Sequence, residues 1–185
     1  MRIKIFFLIL ASFFLTYLIF TTNIENKISI MSFYDRTTTP SPSFNDYLKS
    51  LLENTIDFTY TEYTKKNLEI ENVIASIKEN ENNIHEKIHD SKILIIYLGE
   101  FELLKEEMNI SELTANLNIL FKELRKLNNY QIIYISPPSL SMIYSIKDLC
   151  KSKNIDFLAS SSNQDIIAKN IKKNITTAWN IFCLN

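Results

Sequence analysis

The chain has 185 residues, 46% of them hydrophobic and 22% charged, a balance that excludes an intrinsically disordered protein. Its net charge of -1 gives no basic field of the kind that nucleic acid selects, so no nucleic-acid partner is expected. A single glycine, Gly99, excludes the glycine-rich phosphate loops of nucleotide-binding proteins, and no cofactor is expected.

In chain order, Arg2 and Lys4 precede an uncharged run from Ile5 to Phe20. Residues 3–22, as a helix, match the ~30 Å core of a bilayer. The exit Phe20-Thr21-Thr22-Asn23 lacks the small-residue pattern of a cleavage site, which favours an uncleaved anchor over a removed signal peptide. The charges of Arg2 and Lys4 place the remainder outside the cytoplasm. The organisation read is a transmembrane signal-anchor over 1–22, a linker over 23–27 and one α/β domain over 28–185. The expected location is the cell membrane, as a single-pass protein. Roughly 150 residues are enough for one domain with its own core.

Lys27 to Phe33 reads as a buried strand, and Thr37 to Ser43 as a loop broken by two prolines. Phe44 to Asn54 has helical spacing of Phe44, Tyr47, Leu48, Leu51 and Leu52. Ile56 to Tyr63 alternates as a strand, Leu68 to Ile77 is helical, Glu79 to Asn83 is a polar break, and Ile84 to Asp90 is a short helix. Lys92 to Leu98 is the nearly continuous apolar run of a central parallel strand. Ile110 to Leu127 is the clearest amphipathic helix, with a stripe of Leu113, Leu117, Leu120, Phe121 and Leu124. Gln131 to Ile135 and Ile155 to Leu158 read as strands, Ser139 to Ser152 and Gln164 to Trp179 as helices. Strands alternating with helices predict a three-layer α/β/α fold with a parallel sheet, whose ligands bind at the carboxyl ends of the strands.

The loops at those ends resemble the SGNH, or GDSL-type, hydrolases, from about Ile28 to Ile175. Met31-Ser32-Phe33-Tyr34-Asp35-Arg36 stands where that family has its strand-end G-D-S block. Tyr63-Thr64-Lys65-Lys66-Asn67 stands at the second block, which normally carries a glycine. Ile93 to Leu103, containing Gly99-Glu100-Phe101-Glu102, resembles the strand ending in G-x-N-D. Asn163-Gln164-Asp165-Ile166-Ile167-Ala168 resembles the segment after the D-x-x-H block. The resemblance implies a flavodoxin-like fold and ester or acyl hydrolysis by a serine, a histidine oriented by an aspartate, and an oxyanion hole.

Carried over by position, Asp35 and Gly99 match, whereas Arg36 stands at the nucleophile, Asn67 at the oxyanion glycine and Phe101 at the oxyanion asparagine. No histidine follows His89. A former active site around Asp35, Arg36, Asn67, Gly99, Phe101 and Glu102 is therefore expected, serving a lipid, glycan or protein ligand. A residually active esterase is the alternative, with the nearby Thr37, Thr38, Thr39, Ser41 and Ser43 as substitute nucleophiles. Glu100, Glu102, Glu106 and Glu107 read as a solvated helix start favoured by the helix dipole, or, for Glu102, as an ion pair with Arg36 across the cleft.

His85-Glu86-Lys87-Ile88-His89 matches the H-E-x-x-H zinc motif, two imidazoles one turn apart with a glutamate to activate water. That spacing makes a zinc hydrolase a second alternative, with His85 and His89 as weak candidate ligands. Lys87 inside the motif and the helix end at Asp90-Ser91 favour a solvated helix tip instead. Cys150 and Cys183 have no metal-type spacing and read as a pair or as two buried thiols.

Overall fold

The computed structural model describes residues 27–39, 41–104, 109–136, 138, 143–161 and 163–183, with backbone alone at 143 and from 178 onward. The expected anchor and linker lie outside the described residues, except Lys27. Among the described residues no helix is long and apolar enough to cross a membrane.

Five strands, β1 (Ile28–Asp35), β2 (Phe58–Lys65), β3 (Ile93–Tyr97), β4 (Gln131–Ser136) and β5 (Asp156–Ala159), form one sheet in the order β2-β1-β3-β4-β5. Every pairing is parallel. Among the described residues seven α-helices connect and follow them: α1 (Phe44–Glu53), α2 (Ile70–Glu79), α3 (Ile84–Asp90), α4 (Glu100–Leu104), α5 (Ile110–Leu127), α6 (Ile143–Ser152) and α7 (Gln164–Cys183). A 3-10 turn at Glu81–Asn83 joins α2 to α3.

The two-residue period of the strands sorts their side chains into two cores. Met31, Phe33, Leu94, Ile96, Ile132 and Tyr134 pack against α2, α3, α5 and α6. Ile28, Ile30, Ile93, Ile95, Ile133 and Ile135 pack against α1 and α7. Apolar residues on both faces explain why β3 reads as an unbroken run. The three-layer parallel architecture expected from the sequence is present.

Boundaries shift where pairing extends them. β1 runs on to Asp35 because Tyr34 and Asp35 stay in register with Thr64 and Lys65 of β2. α1 begins with a capping box, Ser43 and Asp46 exchanging side-chain and backbone bonds. α5 begins at Asn109, whose side chain accepts from the Glu112 N–H, as a good N-cap should. The segment expected to open α6, 139–142, lies outside the described residues.

From β1 the chain moves to β2 on one side, then returns past β1 to β3 and onward. The carboxyl ends of β1 and β3 therefore flank the topological switch point, the usual crevice of an open parallel sheet.

Candidate functional site

Asp35 closes β1 and is 1% exposed. One carboxylate oxygen accepts from the Leu68 N–H at 3.0 Å. The other accepts from the Thr38 N–H at 3.0 Å and the Thr38 hydroxyl at 3.1 Å. The matched aspartate thus ties the loop after β1 to the loop after β2. Arg36, at the position of the nucleophile, is exposed on the turn so formed, its N–H bonded to the Lys65 carbonyl at 3.1 Å.

Asn67 has φ 54°, in the left-handed region that glycine enters without a steric cost. Its N–H donates to the Thr37 hydroxyl oxygen at 3.0 Å, and that hydroxyl donates to the Asn67 side-chain carbonyl at 2.8 Å. The backbone donor assigned to an oxyanion by the resemblance is therefore engaged by Thr37.

Gly99 follows β3 with φ 106°, a conformation only glycine adopts readily. Its carbonyl accepts from the Leu103 N–H at 3.2 Å and opens the short helix α4. Phe101 is half-buried on α4.

Glu102 corrects two expectations. It is 1% exposed, so it is not part of a solvated helix start. It does not pair with exposed Arg36 either. One carboxyl oxygen accepts from the Ile70 N–H at 2.5 Å, the first residue of α2, while the other is buried without a hydrogen bond. The helix leaves its first amides unpaired, and Glu102 satisfies one of them from 32 residues away. Glu106 and Glu107 lie outside the described residues.

Desolvation raises the Glu102 pKa above its ordinary 4.5, the Ile70 N–H opposes the rise, and the charges of Glu69 and Asp35 add to it. A raised folded-state pKa means that the fold holds the proton more tightly than the unfolded chain does. Stability should therefore fall as pH rises from about 4.5 upward. The variant Glu102→Gln, which cannot titrate, is expected to lack this contribution. Urea unfolding of both proteins across that range should show their stability difference shifting in favour of the variant as pH increases. A constant difference would show that Glu102 does not titrate with folding.

The histidines are elsewhere. Both sit on α3, which leads into the amino-terminal end of β3, so about 16 Å of strand separates them from the crevice. A His85 ring nitrogen is bonded to the Ile77 carbonyl, and His89 is exposed, 3.2 Å from the Asp90 carboxylate. Among the described residues no group of three His, Cys, Asp or Glu side chains could hold a metal ion. Cys150 is a buried free thiol, its pKa pushed up to about 12 by burial. The side chains of Cys183 and of Trp179, expected to anchor the last helix, lie outside the described residues.

Two features went unread in the sequence. One is the carboxylate network on the α1 face: the Tyr34 hydroxyl donates to Glu62 at 2.7 Å, Lys49 pairs with the same carboxylate, and the Tyr97 hydroxyl donates to Glu100 at 2.7 Å. Alternate tyrosines at strand ends were the available signal. The other is an open cavity of about 310 Å³ beside Asn67, lined by Lys65, Lys66, Asn72, Ser76 and Glu81. Its charges are partly self-paired, Lys65 lying 3.6 Å from Glu81 and Ser76 donating to Glu81 at 2.7 Å.

Comparison with solved structures matches the fold to that of known esterases and lipases. The fold is that of the SGNH hydrolases. The psychrotrophic esterase EstA from Pseudoalteromonas sp. aligns over 82% of this chain and 97% of its own, with TM-score 0.60 and 11% identity. The SGNH-hydrolase family esterase AlinE4 aligns over 74% of this chain and 77% of its own, with TM-score 0.56 and 16% identity. The acetylxylan esterase Axe2 from Geobacillus stearothermophilus aligns over 79% and 82%, with TM-score 0.56 and 14% identity. No family model and no curated protein matches the sequence.

Proposed function

We propose that this protein is a degenerate SGNH hydrolase, without the hydrolytic triad, that binds a partner or polar ligand at the carboxyl end of its sheet. On the same reading residues 3–22 anchor it in the cell membrane, with the domain outside the cytoplasm. The observation that carries the reading is the position of the only two histidines, at the opposite end of the sheet from Asp35, Arg36 and Asn67. A serine or threonine in the crevice has no imidazole to take its proton. The Thr37–Asn67 pair supports the same reading, because it engages a backbone donor that acyl transfer needs free. The polar lining of the cavity beside Asn67 favours a glycan or a protein segment over an acyl chain.

The test is a fluorophosphonate probe on the full chain, read by intact mass beside an active serine hydrolase. The expected result is no covalent shift while the control is labelled. Ester turnover should lie about 10⁶-fold below that of the control, the scale of losing a nucleophile or base. A covalent shift would establish instead a residually active esterase, and peptide mapping would name its nucleophile.

A further inference from the structure

β2 is an outermost strand of the sheet, and among the described residues no strand pairs with its outer side. The Asp57 carbonyl accepts from the Ile28 N–H at 3.0 Å and the Lys65 carbonyl from the Arg36 N–H at 3.1 Å, so both point inward, toward β1. Backbone polar groups alternate in direction along a strand. Phe58, Tyr60, Glu62 and Thr64 therefore turn their N–H and C=O groups outward, a row of donors and acceptors open to another strand.

Little blunts this edge. Phe58–Lys65 contains no proline, and its register with β1 runs unbroken from end to end. Apart from Glu62 and Lys65 it is built of Thr, Tyr and Phe, residues that suit strands. Thr59 and Thr61 are exposed on it. At 8 residues it is long for an edge, which natural proteins usually keep short.

The charges select the occupant, a second copy of β2 running antiparallel. Outward residues must then face outward residues, which leaves few registers. Centred on Glu62, the pairing sets two carboxylates against each other, which is unfavourable. Centred on Tyr60, it leaves Asp57 opposite Tyr63 and Lys65 opposite Thr55, both neutral. Centred on Thr61, it sets Asp57 of one copy against Lys65 of the other at both ends, and Tyr60 against Glu62. Every outward N–H and C=O of Phe58, Tyr60, Glu62 and Thr64 then has a partner. Each Glu62 keeps Lys49 as its counter-ion. Asp57 and Lys65 can re-pair, because their ion pairs within the chain, with Lys27 at 3.7 Å and Glu81 at 3.6 Å, are exposed and weak.

We propose that two copies of this chain join through the outer edges of β2, antiparallel about a twofold axis at Thr61, into one continuous sheet. A twofold contact is closed, so the joining stops at a dimer. Pairing at this edge is independent of what the crevice binds. On the anchored reading above, the axis stands along the bilayer normal, the joined sheet lies flat over the surface, and the two crevices open sideways in opposite directions.

The full chain in a mild detergent is expected to be a dimer by light scattering. At the axis the two Thr61 Cα atoms would stand about 4.5 Å apart, within reach of a disulfide. Thr61→Cys is therefore expected to cross-link to its own copy under mild oxidation, beyond whatever the parent's native cysteines give. Thr59→Cys, set against Tyr63, is expected not to. Asp57→Lys should raise the dissociation constant about tenfold, and adding Lys65→Asp should restore it, since the two charges only change places. That charge exchange tests the pairing even if a cysteine variant fails to fold. A chain that stays monomeric at every concentration overturns the proposal. So does a dimer whose Thr61→Cys variant cross-links no more than the parent or the Thr59→Cys variant, which would place the contact on another surface. So does a dissociation constant that the charge reversal leaves unmoved.

Discussion

The variant Asp35→Ala is expected to lose about 3–4 kcal/mol of stability, one of the larger effects available in this chain. Three hydrogen bonds end on that carboxylate, and the Leu68 N–H among them is buried. Alanine would leave that donor unsatisfied in a site that water does not reach. Asp35→Asn keeps one carbonyl acceptor and should lose roughly half as much. Urea unfolding followed by circular dichroism gives both numbers. An Asp35→Ala protein as stable as the parent would mean that the two loops are held by something other than this carboxylate. The matched aspartate would then need another explanation, one that lies in ligand binding.

The second large effect is expected at Tyr134. Its ring is fully buried on β4, with centroids 5.6 Å from Phe121 of α5 and 6.5 Å from Phe157 of β5. Its hydroxyl donates to the Leu98 carbonyl at 3.1 Å, just before Gly99. Tyr134→Ala removes the ring and leaves a cavity, at a cost of about 3–5 kcal/mol. Tyr134→Phe keeps the ring and should cost only about 1 kcal/mol, the net value of a neutral hydrogen bond. A large gap between the two, measured by thermal unfolding, assigns the position to packing. Near-equal losses would assign it to the bond that fixes the turn at Gly99.

The sequence made the layers legible because periodicity reports burial directly. Ile110–Leu127 and Ile84–Asp90 begin and end where their apolar stripes and flanking polar residues say they should. The apolar run of β3 states that both faces are covered. The ends of β1 and β2 were less legible, since Tyr34, Asp35, Thr64 and Lys65 look like loop residues and become strand only through their mutual register. Which residues stand at the carboxyl ends of the strands was legible, and their contacts were not. Glu102 among other glutamates reads as solvated; its buried carboxyl is taken up by the first amide of α2, at Ile70, far away in sequence. The same holds for Thr37 and Asn67, whose pairing joins two loops 30 residues apart. Local pattern carries no trace of either.

The asparagine at position 67 has a wider context. Besides Gly99, the described residues with positive φ are Asn67, Asn80, Asn82, Asn83 and Asn154, every one an asparagine. Asparagine is the residue other than glycine that tolerates this conformation best, at a modest steric cost. In a chain with one glycine, asparagine turns the left-handed corners among the described residues. Among the described residues Asn67 is then one of five asparagines in this conformation. The identity of residue 67 therefore follows a backbone habit seen at four other described positions and by itself carries no information about catalysis.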